Sequence, residues 1–275
     1  MSKREDIRER RSRLSPAKLL LLEKHLRGDL PDENEQDAIP RREGQEFVAL
    51  SFGQERLYFL SQFVPDSPFY NVPLGVRLKG SLNIDALERS LSEIVRRHEA
   101  LRTNFNMIDG QLAQVINPAL AVRLPLHSLE SVPAATREEE ARRVAIEEVK
   151  RPFDLAQEVL LRCMLFRLQE QDHVLLLVLH HIIFDDWSKM VFTKEMATLY
   201  EAFSEGKPSP LSELPIQYAD YAMWQRSEKH ASVLKEKLSY WKRHLDGSIA
   251  ALELPTDRPR PAIQTFRGAV ERFDL

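Results

Sequence analysis

Cysteine is almost absent from this chain: Cys163 is the one example among 275 residues. A single thiol excludes an internal disulfide framework and any metal site built from several cysteines. Cys163 lies in the apolar run Leu161–Phe166, where a free cysteine usually packs as a small hydrophobic residue. We therefore expect a buried packing role for Cys163, with a catalytic thiol as the alternative.

The sequence also lacks an excess of basic residues and any long apolar run. Its 39 lysines and arginines are balanced by 42 acidic residues, which gives a formal net charge of -3. A protein that grips phosphate backbones needs a basic surface, so we do not expect nucleic acid as a partner. The longest clean apolar run, Val174–Leu179, is far shorter than the roughly 20 residues of a membrane span. The charged stretch Met1–Arg13 has no apolar core typical of a secretory signal. We expect no membrane association and a cytoplasmic location.

The first 47 residues differ in character from the rest of the chain. Ser15 and Pro16 supply a helix N-cap and a first-turn proline, leucines follow, and Gly28 ends the pattern. The stretch 29–45 is polar and charged and carries two prolines, which is typical of a linker. We predict a helical and linker segment over 1–47, which is either a plain connector or a docking element that recruits an upstream protein.

Strand and helix patterns alternate from Val48 onward, which predicts an α/β or α+β fold. Asp109-Gly110 separates two apolar segments and predicts a β-hairpin. The most apolar pair of segments, 160–168 and 173–180, predicts two central strands that are buried on both faces. The other predicted elements are a buried helix over 51–63, a strand over 72–78, a helix capped by Asn83, helices over 137–150, 187–203, 216–226 and 232–245, and a last strand over 267–275.

Two histidines close the second of these central strands and open the segment His180–Ser188, HHIIFDDWS. Histidine handles protons near neutral pH, and the loop after a strand commonly presents catalytic side chains. Three interpretations are open: a structural histidine pair, a metal site of His181 and Asp185 with or without Asp186, and acyl transfer in which His181 acts on an incoming nucleophile. The other histidines are scattered singly, and no nucleophile elbow favours covalent serine catalysis.

Four segments together carry a family resemblance. His180–Ser188 resembles the His-His-x-x-x-Asp-Gly motif of condensation domains from non-ribosomal peptide synthetases and of chloramphenicol-acetyltransferase-like enzymes. In the expected order, 50–60 is similar to the first core motif of condensation domains, 97–105 to the second and 218–225 to the fourth. The resemblance covers about residues 48–275.

The resemblance implies a fold, a reaction and a set of partners. The implied fold is a chloramphenicol-acetyltransferase-like lobe, with a central mixed sheet flanked by helices over 48–266 and the start of a truncated second lobe over 267–275. The implied reaction joins a carrier-bound acyl or peptidyl thioester donor to a carrier-bound aminoacyl acceptor through an amide bond. Donor and acceptor peptidyl carrier domains and adjacent synthetase domains are the implied partners, and an upstream synthetase could dock on 1–47. No cofactor is expected to bind directly, because the substrates hang on phosphopantetheine arms of the carriers.

The motif also implies roles for individual residues. His181 matches the second histidine, which acts as general base for the amine or positions it, and His180 supports its neighbour. Asp185 matches the motif aspartate, a structural residue, and we expect Arg102 of the second motif to be its ion-pair partner. Asp186, Trp187 and Ser188 are candidates for the wall of the substrate channel.

Two features depart from the family pattern. Asp186 stands where the family carries glycine, which can adopt backbone angles closed to other residues and leaves space beside the thioester. Its negative charge beside His181 would favour an imidazolium that cannot accept a proton. A catalytically weakened carrier-binding or recruiting domain is therefore the alternative function. An epimerisation domain shares the fold, but the second motif favours the condensation form.

The second departure is length, because the chain stops near the start of the second lobe. The absent lobe supplies the other wall of the channel in this family, so we expect little or no condensation by this chain alone. We also expect an exposed apolar inner face with some tendency to self-associate.

Overall fold

The computed structural model describes residues 38–44, 47–65, 67–247 and 255–259. The chain divides into two compact units, 1–40 and 41–275, and the elements below belong to the second unit. The helix expected to end at Gly28 and the strand expected over 267–275 lie outside the described residues.

The strands form one mixed sheet and one separate hairpin. The strands are β1 Asn71–Lys79, β2 Thr103–Ile108, β3 Gln111–Ile116, β4 Leu126–Ser128, β5 Leu161–Gln169 and β6 Asp172–His180. The sheet order is β1-β6-β5-β4, with β6 antiparallel to both neighbours and β4 parallel to β5. The predicted pair of central strands is thus confirmed, because β5 and β6 lie between the two edge strands.

The helices cover both faces of this sheet. They are α1 Phe52–Phe63, α2 Ile84–Arg97, α3 Arg137–Lys150, α4 Asp186–Ser204, α5 Tyr218–Gln225 and α6 Glu228–His244. On one face, α2 and α4 pack against the sheet in a core that includes Leu91, Leu177 and Phe192. On the other face, α3 packs in a smaller core that includes Ala141 and Val178. The result is a layer of helices on each side of a mixed sheet, as the fold prediction required.

The hairpin of β2 and β3 turns where its sequence predicts. Asp109 and Gly110 have φ values of 50° and 78°, the left-handed conformation that two-residue hairpin turns need. Ala49 forms a bridge with Ala113, so the segment before α1 runs beside this hairpin. The turn chemistry alone was therefore enough to predict this element.

Helix α1 is the element whose environment was predicted wrongly. Ser51 caps it, and the side chain of Gln54 bonds back to the backbone of Ser51, so the helix start follows from sequence. However, Phe59 and Phe63 are 64% and 75% exposed, whereas the sequence pattern predicts a buried helix. The apolar residues predicted a helix, but they did not reveal whether its apolar face has a partner in this chain.

Cys163 is half-buried in β5 and its thiol donates to the carbonyl of Arg123 at 3.1 Å. Burial, with a smaller contribution from Glu88, raises the pKa of this thiol to about 11. A thiol that stays protonated at neutral pH is a poor nucleophile, which is consistent with a packing role.

No helix among the described residues is long and apolar enough to cross a membrane.

Candidate functional site

His180 closes β6 and is enclosed by the protein. His180 is 4% exposed, and the centre of its ring lies 6.1 Å from that of Tyr70 and 6.2 Å from that of Phe153. Its Nδ1 accepts a hydrogen bond from the backbone N–H of Ile182 at 3.1 Å. Burial, and then the neighbouring His181, lower the pKa of His180 to about 4. The ring is therefore neutral at neutral pH and serves as a packed acceptor for the turn that follows.

His181 faces the other way and is exposed. Its backbone N–H donates to the carbonyl of Tyr70 at 2.8 Å, which ties it to the start of β1. Its Nδ1 lies 2.7 Å from the carbonyl oxygen of Phe184. Because a carbonyl can only accept, Nδ1 carries the proton and Nε2 of the neutral ring keeps its lone pair. The turn thus fixes one tautomer and leaves Nε2 able to accept a proton or a hydrogen bond.

Asp185 caps the N-terminus of α4. Its carboxylate accepts from the backbone N–H of Ser188 at 2.8 Å and from the Ser188 hydroxyl at 2.6 Å. Burial alone would raise the pKa of Asp185, but these hydrogen bonds and nearby His181 hold it below its ordinary value. The carboxylate therefore shapes the loop after His181 through helix capping.

Asp186 is the first residue of α4 and is exposed. Within the described part of the chain, Asp109 is the one non-glycine residue with a positive φ, so Asp186 does not adopt the backbone conformation reserved for glycine. A carboxylate in the first turn also interacts favourably with the helix dipole. The expected backbone demand for glycine at this position is therefore wrong, and the effect of the charge beside His181 stays a prediction.

The predicted ion pair between Asp185 and Arg102 is wrong. Both residues are described, and the carboxylate of Asp185 is held by Ser188. The guanidinium of Arg102 donates to the carbonyl of Asn117 and lies 3.8 Å from the carboxylate of Glu99. Arg102 ends a 3₁₀ turn and lines a different cavity, of about 610 Å³, beside the start of β5. Sequence motifs identified both residues as structural but could not show in which direction each side chain points.

A cavity of about 250 Å³ lies beside His181. Its wall is built from the end of α2, the segment after it, the turn after β6, the first turns of α4 and the start of α5. Of the predicted site residues, His181, Asp185, Trp187 and Ser188 line this cavity. His180 lies buried next to it, and Asp186 and Arg102 are not part of its wall.

Two polar side chains of this wall were missed as site residues. Nε2 of His98 lies 2.8 Å from Oε2 of Glu195, and the hydroxyl of Tyr218 lies 2.9 Å from that of Ser51. Both His98 and Tyr218 sit in the second and fourth motif segments, so the sequence held a signal for them. The pattern around His98 did not reveal its place, because it is a single histidine without a neighbouring ligand.

Glu195 ties α4 to the second motif. It accepts from His98 and lies 3.4 Å from the guanidinium of Arg97, whose side chain is 3% exposed. Burial would raise the pKa of Glu195, but hydrogen bonds from His98 and Arg97 hold it below its ordinary value. This ion cluster anchors the helix whose N-terminus carries Asp185.

The described residues do not form a metal site. No group of three or more His, Cys, Asp or Glu side chains comes together there in a way that could hold an ion. His181 and Asp185 line one cavity, but Nδ1 of His181 and the carboxylate of Asp185 are directed to the protein partners described above.

The comparisons with known proteins place this chain in a family. A family model for the condensation domain matches residues 44–275, and this chain belongs to the condensation-domain family of non-ribosomal peptide synthetases. Domains of this family are acyltransferases that form amide bonds.

Curated relatives agree with this assignment. One of the subunits of linear gramicidin synthase from Brevibacillus parabrevis is 50% identical over 228 residues, a match that covers 83% of this chain and 4% of that protein. Phosphinothricin tripeptide synthetase PhsC of Streptomyces viridochromogenes is 40% identical over 275 residues, and the match covers 25% of that protein. The chain thus spans a small part of the relatives that it matches.

Solved structures show the same fold. The X-domain from teicoplanin biosynthesis matches with a TM-score of 0.71 and 33% identity, covering 82% of this chain and 49% of that chain. The starter condensation domain of the rhizomide synthetase RzmA matches with a TM-score of 0.67 and 21% identity, covering 74% and 48%. At that identity the second likeness speaks for the fold alone. This chain spans about half of each.

Proposed function

We propose that this chain forms one wall of a site in which a carrier-bound amine attacks a carrier-bound thioester, with His181 as base or positioning group. The observation that carries the proposal is the hydrogen bond from Nδ1 of His181 to the carbonyl of Phe184. This contact leaves the lone pair of Nε2 available on an exposed ring at the edge of a cavity.

The reaction assigns each atom a destination. The acceptor amine forms a C–N bond to the thioester carbonyl carbon, and the C–S bond breaks to release the donor thiolate. The amine loses a proton, which Nε2 of His181 can take up, and the leaving thiolate gains one. A hydrogen bond from the amine to Nε2 would alternatively orient the nucleophile without full transfer.

The surrounding residues would hold His181 in place. His180 is neutral and packed, so it fixes the end of β6 without competing for the proton. Asp185 caps α4 and thereby fixes the loop that supplies the carbonyl of Phe184. Carrier domains would present donor and acceptor on phosphopantetheine arms. Residues 1–47 stay either a plain connector or a docking element for an upstream synthetase.

A second candidate function is that of a recruiting domain with weak or no catalysis. Two observations favour it: Asp186 replaces the motif glycine, and the similar X-domain has been solved as a complex with OxyB from teicoplanin biosynthesis. A fold of this kind can therefore serve as a docking partner. In that case His181 would take no part in proton transfer.

Substitution of His181 separates the two candidates. We join this chain to the second half of a relative's condensation domain, supply loaded donor and acceptor carriers, and measure amide product and carrier affinity. For His181→Ala we expect a loss of product of about 100-fold or more, the scale of general acid–base catalysis, with unchanged carrier affinity. Little product from either protein, with carrier affinity intact, would support the recruiting function instead, and equal substantial product would show that the reaction does not need His181.

Substitution of Asp186 tests the weakened form in the same assay. Asp186→Gly removes the negative charge that we expect to act on His181 from the first turn of α4, so we expect more condensation product than from the unsubstituted chain. Equal rates would show that the charge of Asp186 does not restrain the reaction.

A further inference from the structure

The cavity beside His181 has the size of a side chain rather than of a whole substrate. Its volume of about 250 Å³ lies below the roughly 300–1,000 Å³ of pockets that enclose complete small ligands. At about 30 Å³ for each water in the liquid, the space corresponds to roughly eight waters. A group attached to a substrate held at His181 could therefore fill it.

Most of this wall is apolar. Ile94, Phe184 and Phe192 are buried core residues that also face the cavity, and Leu101 and Val191 are among its other apolar lining residues. Water against such a wall finds few hydrogen-bond partners. Replacing that water by an apolar group is favourable by the same effect that drives core burial.

The polar side chains of the wall already have partners in the protein. His98 is held by Glu195, Tyr218 by Ser51, and the carboxylate of Asp185 by Ser188. Asp185 is the carboxylate that lines the cavity, and its charge would repel an acidic substrate group. An acidic side chain would also lose its hydration on entry without gaining a cationic partner from the wall.

We propose that this cavity is a specificity pocket for an apolar side chain, branched aliphatic or aromatic, of the aminoacyl or acyl group that reacts at His181. The proposal rests on the proposed function, because His181 and the cavity share one wall. A substrate whose reacting atom lies at Nε2 can place its side chain between α2 and α4. Val191 of α4 and Ala100 after α2 reach the cavity from opposite elements and would set its size.

Binding of small thioesters to this chain tests the pocket without requiring turnover. We titrate the chain with N-acetylcysteamine thioesters of alanine, leucine, phenylalanine, aspartate and lysine, and follow the NMR signals of the Val191 methyls and the His98 ring. We expect both residues to respond to leucine and phenylalanine, with weaker binding of alanine and aspartate. Equal affinity for all five thioesters, or tightest binding of the aspartate or lysine thioester, would overturn the apolar pocket.

Variants that change the size of the pocket are the second test. Val191→Phe should weaken binding of the leucine and phenylalanine thioesters about tenfold or more, with little effect on alanine, since one methylene group alters discrimination about 10–200-fold. Ile146→Phe is the matched control, because Ile146 lies exposed on α3 outside the cavity. If Val191→Phe fails to fold, Ala100→Leu narrows the opposite wall and Val191→Ala widens the pocket. Unchanged preference in the folded variants would overturn the proposal.

The two proposals fail in different ways. Selective binding that responds to Val191, together with full product from His181→Ala, would overturn the proposed function but keep the pocket. Loss of product from His181→Ala, with thioester binding that ignores Val191 and Ala100, would keep the function and overturn the pocket.

Discussion

His180 and His181 are neighbours in sequence, but their environments give them different chemistry. The buried ring of His180 accepts one backbone hydrogen bond and has a pKa of about 4. The exposed ring of His181 donates from Nδ1 and leaves Nε2 open. The difference follows from their positions, because His180 is the last residue of β6, whereas His181 begins the turn after the strand and is exposed.

The pKa of His180 predicts how stability depends on pH. The unfolded chain binds a proton at this residue below its ordinary pKa of 6.5, whereas the folded chain does so only near 4. Above pH 6.5 the ring is neutral in both states and the free energy of unfolding keeps its full value. As the pH falls from 6.5 to 4, the unfolded chain gains the proton first, so the free energy of unfolding falls progressively, by up to about 3 kcal/mol. Urea unfolding between pH 4 and 7 measures this slope.

His180→Asn is the matched variant for that measurement. The amide oxygen of asparagine can accept the bond from the backbone of Ile182 but does not titrate. We expect the variant to be less stable at pH 7, because the ring no longer packs, and to show a flatter profile between pH 6.5 and 4. Parallel profiles for the two proteins would contradict the assignment of a depressed pKa to His180.

Sequence could predict part of this site at the level of residues. The pair of histidines after an apolar strand selected His181 and Asp185, and the motif resemblance added Trp187 and Ser188; all four line one cavity. The contribution of His98 was missed, because its partner Glu195 lies 97 residues away. Contacts between distant segments depend on how helices pack, and the local pattern does not encode that.

Among the elements, the segment before α1 is held by a buried ion cluster. Arg42 lies 2.6 Å from the carboxylate of Glu99 and 2.8 Å from that of Asp220, whose side chain is 0% exposed. Burial would raise the pKa of Asp220, but hydrogen bonds from the backbone of Gln217 and from Arg42 hold it below its ordinary value. Arg42 thereby links this segment to the second motif and to α5, which carries Tyr218.

Loss of Arg42 should destabilise the fold. Arg42→Met leaves the buried carboxylate of Asp220 without its cation, so we expect the free energy of unfolding to fall by about 3–5 kcal/mol. Chemical denaturation measures the change, and Arg41→Met at the exposed neighbouring residue is the control. The double variant Arg42→Met with Asp220→Asn should lose less than the sum of the single changes. A loss below about 0.5 kcal/mol for Arg42→Met would contradict a role for this cluster in stability.

Most elements could be predicted from sequence, because their signals are local. Alternating apolar residues predicted β1, the turn residues predicted the hairpin of β2 and β3, and Asn83 caps α2 as expected. The environment of α1 could not be predicted this way. Its phenylalanines have the composition of a buried helix, yet whether they are covered depends on elements that do not follow from the local pattern.

Several large apolar side chains are exposed in the described part of the molecule. Phe63 of α1 and Trp187 of α4 are 75% and 72% exposed, and Leu238 and Trp241 of α6 are 50% and 53% exposed. The chain also spans about half of the solved chains that it matches. Both facts support the expectation that the site at His181 needs a second wall for water exclusion and positioning.

Amide formation with and without that second wall shows whether His181 acts as the base or positioning group and whether it needs the second half of the domain. Single-turnover product from loaded carriers is measured for this chain alone, for the chain joined to a second half, and for the joined protein with His181→Ala. We predict that only the joined protein forms substantial product, and that its His181→Ala variant forms about 100-fold less or lower still. Full turnover by the chain alone, or an unchanged rate after His181→Ala, would contradict the account.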